Sequence, residues 1–588
     1  MKKRIFVFAL LSSMLLSGCF HKTNTENVDT VTTNLYSLIN HKSGDVVDFT
    51  NKKGIEFSYK TFKGEELNPY ISIATYFSFY KGLFATGYGY DISDRGSIQI
   101  ISVKGKNNTV YFSCEINTSR GTIIYSGDFA SAFSHYPDYS TTTLMTGLNQ
   151  TGTSLYNGSP DLMTLMNYKS MDYKTIFEND VAYLPLSLFE SSFSAASGVH
   201  HLFNYHRIVQ FVNNEDLEEI SFKENNKTYT FNSEMKEYVV NSLNGIMPTY
   251  LIEDRQNTFN YIMEYQYGLK KTRGISSMVE LLKKQNFYVD FSSSDISKRT
   301  DALNKTFAFL DDGHSSIRNT STFAWAYPSS ASIYGEHVSK ILEVRATLTP
   351  LRSNMPVGQV YYSSDEKLAF LSFDSFNIAN DAFLEDDKTL KESVYNPLEK
   401  EHDTFLYLAR KLQEIKEKTG VIDVIIDISI NGGGILAALL KIMPLLSKYN
   451  NGIAHMCADN GGYVYQYDNK CDSNLDGECN LEDCYGDDFN IYLLTSGFSF
   501  SCGNALPFYI KKNDIAPIIG QKSGGGECTV AENYLPSGEH FLHSSGMHMG
   551  FYQNAKFEGD EPGTPVDISI EYKDFYNLDK LQQLLNNL

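Results

Sequence analysis

Thr495-Ser-Gly-Phe-Ser-Phe-Ser-Cys-Gly-Asn-Ala-Leu-Pro507 follows the apolar run Ile491–Leu494, and Asp427-Ile-Ser-Ile-Asn-Gly-Gly-Gly434 continues the apolar run that begins at Val424. Each run reads as a buried strand, and each leads into a segment able to open a helix. A small hydroxyl residue at a helix start, close to a glycine-rich turn, suits an exposed nucleophile beside free backbone N–H groups. The two stretches make the chain a candidate hydrolase rather than a binding module.

Around them, strand and helix patterns alternate. Lys367–Phe373 reads as a strand, and Asp403–Lys418 places Phe405, Leu408, Leu412 and Ile415 on one helical face. The alternation continues to Ile519, which predicts an α/β domain. Upstream, Phe259, Ile262 and Met263 recur at helix spacing, as do Met278, Leu281 and Leu282. Ser293–Leu310 opens on capping residues and ends in the turn Asp311-Asp312-Gly313, followed at once by His314. The segment from His314 to Lys367 is looser and shows no peptide-binding PDZ pattern. From about Asp29 to Gly245 the chain is rich in Tyr, Thr, Ser and Gly. Its short apolar bursts, Ile98–Val103, Val110–Cys114 and Gly121–Ser126, predict short strands with irregular loops and carry no catalytic signature.

The 588 residues suffice for several domains, and a formal net charge of −20 argues against nucleic acid or anionic lipid as a partner. Lys2-Lys3-Arg4 and the apolar run Ile5–Leu16 read as an export signal too short to span a bilayer stably. The ending Leu16-Ser-Gly-Cys19 resembles the lipobox of bacterial lipoproteins. That resemblance implies cleavage before Cys19, lipid attachment to its thiol, and a protein tethered to the extracytoplasmic face of a bacterial cell membrane, with the membrane touched through this anchor alone. Seven cysteines follow Cys19, an odd number for an exported chain, so at least one is expected outside any internal disulfide. The cluster Cys471, Cys479 and Cys484 invites a loop disulfide.

Four segments, in order, resemble the S41 family of serine peptidases, which includes the C-terminal processing proteases and the tricorn core protease. They are Leu310-Asp-Asp-Gly-His-Ser315, Lys367-Leu-Ala-Phe-Leu-Ser-Phe-Asp-Ser-Phe376, Ile426-Asp-Ile-Ser-Ile-Asn-Gly-Gly-Gly434 and Ser499-Phe-Ser-Cys-Gly-Asn504. The resemblance implies an α/β catalytic domain with the family's ClpP/crotonase-like β–α core, behind a β-rich N-terminal domain. The plan is a lipoprotein signal peptide at 1–18, a tether at 19–28, the β-rich domain at 29–249 and the peptidase domain at 250–588, with a helical cap at about 250–313.

The same resemblance makes Ser501 the nucleophile. Processing proteases activate it with a lysine whose place is taken here by Gly526, with Lys522 out of register. The tricorn-like branch uses histidine supported by glutamate, roles that fall to His314 and Glu561, with Glu558 as the rival carboxylate. Gly313 stands where that branch has a serine. Gly433, with Gly432 as neighbour, and the Cys502 N–H would form the oxyanion hole. The implied function is hydrolysis of protein or peptide substrates by an anchored serine endopeptidase through a Ser-His-Glu site, with no cofactor required. The alternative is a catalytically inactive surface protein that binds peptide tails.

Two further patterns stand apart. Asp472, Asn474, Asp476 and Asp483 fall at positions of an EF-hand or dockerin calcium loop, with Gly477 at the turn, so a structural calcium ion is a candidate cofactor. His540, His543 and His548 fit no metal motif and read as exposed loop histidines.

Overall fold

The structure is a computed structural model. It describes residues 27–587 apart from 38–54, 85–86, 106–107, 128, 130–147, 157–163, 205–206, 212–220, 225–226, 231–232, 320–332, 380–391, 401, 459–462 and 555. The export signal and Cys19 lie outside the described residues. Among the described residues no helix is long and apolar enough to cross a membrane.

The N-terminal half is β-rich, as its texture predicts. Ile98–Lys104, Val110–Asn117 and Thr122–Gly127 are consecutive antiparallel strands of a five-stranded sheet. A seven-stranded sheet lies beside it in sequence. The core of this half is aromatic: Tyr76 stacks on Phe189 with ring centroids 4.7 Å apart, and Phe77 meets Phe193 edge-on at 5.3 Å. One strand crosses the boundary near residue 250. Leu148–Tyr156 pairs along its whole length with Tyr463–Cys471 of the second half.

The second half begins with α1 (Thr249–Tyr265) and α2 (Ile296–Leu310). Pro248 precedes α1, and Asp295 caps α2 by accepting from the Ser297 N–H at 2.8 Å. Arg255 of α1 is buried and its Nε donates to Glu539 Oε1 at 2.6 Å, tying the helical layer to the strands that follow. Burial pushes the Glu539 carboxyl up, but Arg255 outweighs it and holds the acid below the usual range.

The looser segment of the sequence contains α3 (Glu336–Leu351). The parallel sheet follows: β1 (Leu368–Ser372), α4 (Thr404–Glu417), β2 (Asp423–Asp427), α5 (Leu436–Leu446), β3 (Asn490–Thr495), α6 (Cys502–Lys512) and β4 (Ile518–Gly520). β1, β2, β3 and β4 are neighbours in that order and all parallel, so each connection is a crossover carrying a helix. β1 and β2 are buried at every residue, the pattern of strands covered on both faces. Their carboxyl ends point the loops after β2, β3 and β4 to one edge, where open parallel sheets place their ligands.

A second, antiparallel sheet is built on β5 (Cys528–Tyr534) and β6 (His540–Gln553). It also receives Ser316–Asn319, which pairs with β6 just after His314. Here the reading of the histidines fails. His540, His543 and His548 are strand residues at 5%, 0% and 7% exposure, not exposed loop residues. The polar sequence of β6 hid a strand covered on both faces.

Candidate active site

Ser501 stands at the N-cap of α6 with φ 57° and ψ −124°, and its side chain makes no capping hydrogen bond. A non-glycine residue in that conformation costs roughly 1–3 kcal/mol, a strain that concentrates at functional sites. Its neighbours hold it there. The Ser501 N–H donates to Gly525 O at 3.0 Å, and the Phe500 N–H to Asn431 O at 3.1 Å. Ser499, two residues before, is structural: its hydroxyl donates to Ile428 O at 2.8 Å and accepts from the Ser496 N–H at 3.0 Å. The loops leaving β2, β3 and β4 thus meet around Ser501.

Gly433 explains the need for glycine in that meeting. Its φ is +107°, and a Cβ there would lie 2.7 Å from Ser501 Cβ and 3.1 Å from Ser501 Oγ. Gly433→Ala is therefore expected to reduce any Ser501-dependent turnover by on the order of 100-fold or more while leaving the far-ultraviolet spectrum near native. Steady-state kinetics beside circular dichroism check this. The Gly433 N–H donates to Asn431 Oδ1 at 2.8 Å. The Cys502 N–H, first of α6, has no acceptor among the described residues. Gly432 is exposed at the mouth of the site, with its Cβ position 3.5 Å from the Phe498 ring. The Cys502 thiol itself is buried and pushed up to about 12, first by burial, and its S–H donates to Gly434 O at 3.2 Å. It is a packing group, not a nucleophile.

His314 follows α2 by four residues. Asp311 ends the helix at φ 50°, and its carboxylate accepts from the N–H groups of His337 and Val338 at the start of α3. Asp312 accepts from the His314 N–H at 3.0 Å and from the hydroxyls of Ser315 at 2.6 Å and Ser544 at 3.0 Å. With its proton on Asp312, the Ser544 Oγ lies 3.5 Å from His314 Nδ1 and can accept that N–H. This selects the tautomer whose Nε2 carries the lone pair, and Nε2 is buried with no hydrogen-bond partner. Burial holds the ring pKa below the usual histidine value, against the pull of Asp312.

No hydrogen bond joins His314 to Ser501 in this structure. What links them is Phe500, whose ring centroid lies 4.8 Å from that of His314. The same ring fills the space beside two glycines: a Cβ on Gly313 would meet it at 2.5 Å, and one on Gly526 at 2.7 Å. With the ring in this position, a side chain on residue 313 or 526 would meet it. Lys522 is exposed. The sequence reading missed Ser544, which reaches the His314 ring from β6; nothing local marks it.

Glu561 lies in the turn after Lys556–Gly559 and is locked to Glu527 by reciprocal bonds. The Glu527 N–H donates to Glu561 Oε2, and the Glu561 N–H to Glu527 Oε2, both at 3.0 Å. Its other oxygen is 3.9 Å from Arg273 Nη2, and Arg273 Nη2 also donates to Asp311 O at 3.1 Å. Glu561 is thus beside the His314 turn without touching the ring. Burial pushes its carboxyl up to about 7; Asp312 and Glu527 add to the rise, while the Glu527 amide and Arg273 oppose it. Glu558 is exposed and pairs with Lys512 at 2.9 Å, facing away.

The calcium-like loop turns its oxygens onto backbone amides. Asp472 accepts from Asp476 and Gly477, Asn474 from Asp476, and Asp483 from Ser473 and Asn480. Its three aspartates do not bring their oxygens within 4.8 Å of one another as a group. The cysteines there are not in disulfides, nor are any of the seven among the described residues. Cys471 Sγ instead donates to Asn450 Oδ1 at 3.3 Å, and Cys484 Sγ to Leu481 O at 3.5 Å.

Residues 399–556, spanning α4 to β6, match peptidase family S41. No curated protein matches the chain. Among solved structures, mature CPAF complexed with lactacystin is similar at 12% identity, over 57% of this chain and 98% of that one, with a TM-score of 0.37. A lipoprotein from Streptococcus agalactiae is similar at 12% identity over 55% and 91%, TM-score 0.31. The photosystem II D1 C-terminal processing protease is similar at 16% identity over 39% and 50%, TM-score 0.24. Likenesses that distant carry no substrate or mechanism with them. The C-terminal half has an S41 peptidase-like fold, with a separate β-rich region before it.

Proposed function

Because the chain carries a peptidase family S41 domain, a serine-peptidase domain, we propose that it hydrolyses peptide bonds with Ser501 as nucleophile and His314 as base. The observation that carries this reading is the strained, uncapped Ser501 at the meeting of three sheet-edge loops. Ser501 Oγ attacks the carbonyl carbon and its proton passes to His314 Nε2. The same nitrogen then protonates the leaving amine, and a water repeats the sequence to release the acid. The Cys502 N–H, joined by that of Gly433 as it turns from Asn431, holds the oxyanion. For Oγ and Nε2 to meet, the Phe500 ring must move aside as substrate enters; catalytic hydrogen bonds commonly tighten only then.

Glu561 stabilises the imidazolium through space, from its place beside Asp312. The protein is further proposed to work outside the cytoplasm, held to the membrane by lipid on Cys19. Its substrates are protein or peptide chains.

The pH profile tests the assignment. Glu561 must be ionised to stabilise His314, so kcat/KM for an unfolded protein substrate is expected to rise with an apparent pKa near 7. Burial holds the His314 ring below the ordinary histidine range, so the limb assigned to Glu561 lies above that of the base. Glu561→Gln should lower kcat/KM by about tenfold and move the limb downward. An unmoved limb contradicts the role of Glu561. Binding of unfolded chains without any new termini would favour the inactive peptide-binding reading.

A further inference from the structure

Cys528 and His548 sit opposite each other in the β5–β6 ladder, and Glu527 immediately precedes Cys528. Glu527 Oε1 is 2.7 Å from His548 Nδ1, and Cys528 Sγ is 3.6 Å from the same nitrogen. All three residues are buried, and their ligand atoms lie within 4.8 Å of one another. Among the described residues this is the one such group of histidine, cysteine and carboxylate. The hydrolytic scheme uses neither Cys528 nor His548.

From this juxtaposition we propose that Glu527, Cys528 and His548 bind a divalent cation of the zinc type. Zinc accepts thiolate, imidazole and carboxylate tetrahedrally, and its bond lengths put sulfur and nitrogen roughly 3.5 Å apart. The observed 3.6 Å needs no movement. The oxygen–nitrogen edge must open by roughly half an ångström, which a glutamate side chain supplies by rotation. A thiolate and an imidazole select against calcium and magnesium, which take oxygen ligands. On binding, the cation displaces the Cys528 thiol proton and the proton shared by His548 and Glu527, and both leave to solvent.

A second observation is a buried acid beside Glu561, the hydrogen-bond partner of Glu527. Asp560 is fully buried, and neither of its carboxyl oxygens has a hydrogen-bond partner among the described residues. Burial pushes this acid well up, and the charges of Glu527 and Glu561 push it further. His548 acts on it in the opposite sense. A cation held by Glu527 and His548 would offset that concentration of acid.

This site does not depend on the peptidase reading, and its test does not measure hydrolysis. The purified full chain in detergent, stripped with chelator, is titrated with Co2+ alone and then with Zn2+. One equivalent of Co2+ is expected, with thiolate-to-cobalt charge-transfer absorption in the near ultraviolet that Zn2+ bleaches. Cys528→Ser should remove that absorption, and His548→Gln should weaken binding about tenfold or more. Should Cys528→Ser not fold, alkylation of the unmutated chain mapped by mass spectrometry gives the answer, with Zn2+ expected to protect Cys528 selectively. No near-ultraviolet absorption in the unmutated chain, absorption that persists in folded Cys528→Ser, or protection of Cys471, Cys479 and Cys484 instead would overturn the proposal.

Discussion

Ser501→Ala is expected to lower kcat on unfolded protein by on the order of 10^4–10^6-fold, the scale of removing a serine nucleophile from a working site. Binding of substrate should be nearly unchanged, because the loops around position 501 are held by backbone bonds that alanine preserves: Ser501 N–H to Gly525 O and Phe500 N–H to Asn431 O. A companion substitution separates strain from chemistry. Ser501→Gly loses the same activity but adopts φ 57° without a Cβ penalty, so it should gain about 1 kcal/mol of stability. Quenched-flow or steady-state cleavage assays and denaturant unfolding read the two effects. Full activity in Ser501→Ala would remove this residue from the mechanism. A loss of stability in Ser501→Gly would contradict the strain.

His314→Ala should cost on the order of 10^3-fold or more in kcat, with little change in KM, since on the proposed scheme it removes the base and then the acid of each half-reaction. Ser544→Ala is the sharper probe. Its hydroxyl donates to Asp312 and faces His314 Nδ1, so its loss frees the ring to turn without removing the base. A drop of about tenfold in kcat is expected, confined to kcat. An equal loss in Ser544→Ala and His314→Ala would mean that the serine does chemistry itself. No loss in either would place the base elsewhere.

The parallel sheet was readable because its strands are short, continuously apolar and separated by helices with plain apolar faces. Asp403, predicted to open a helix, caps α4 by accepting from the Leu406 N–H. α3 was not readable: it buries only Ile341 and Leu348, so it writes no stripe into its sequence. The pairing of Leu148–Tyr156 with Tyr463–Cys471 leaves no local trace either, since strand registers over such separations are settled by tertiary contacts. In the candidate site, residues with a motif around them, Ser501, His314 and the glycines after β2, could be proposed from sequence. Ser544, Phe500 and the Glu527–Cys528–His548 group could not. Their roles arise from packing between two sheets, and β6, with buried histidines and serines, resembles a polar loop in one dimension. The Phe500 ring also packs against both departures from the expected pattern, Gly313 and Gly526.

The central claim is that the hydroxyl of residue 501 is the activated group of this molecule. Reaction of the full chain with a fluorophosphonate, followed by proteolysis and mass spectrometry, tests it most directly. A single adduct on Ser501, whose formation falls by on the order of 10^3-fold in His314→Ala, is the predicted result. A chain that takes no adduct, or takes it on another residue at the same rate with and without His314, would contradict the account.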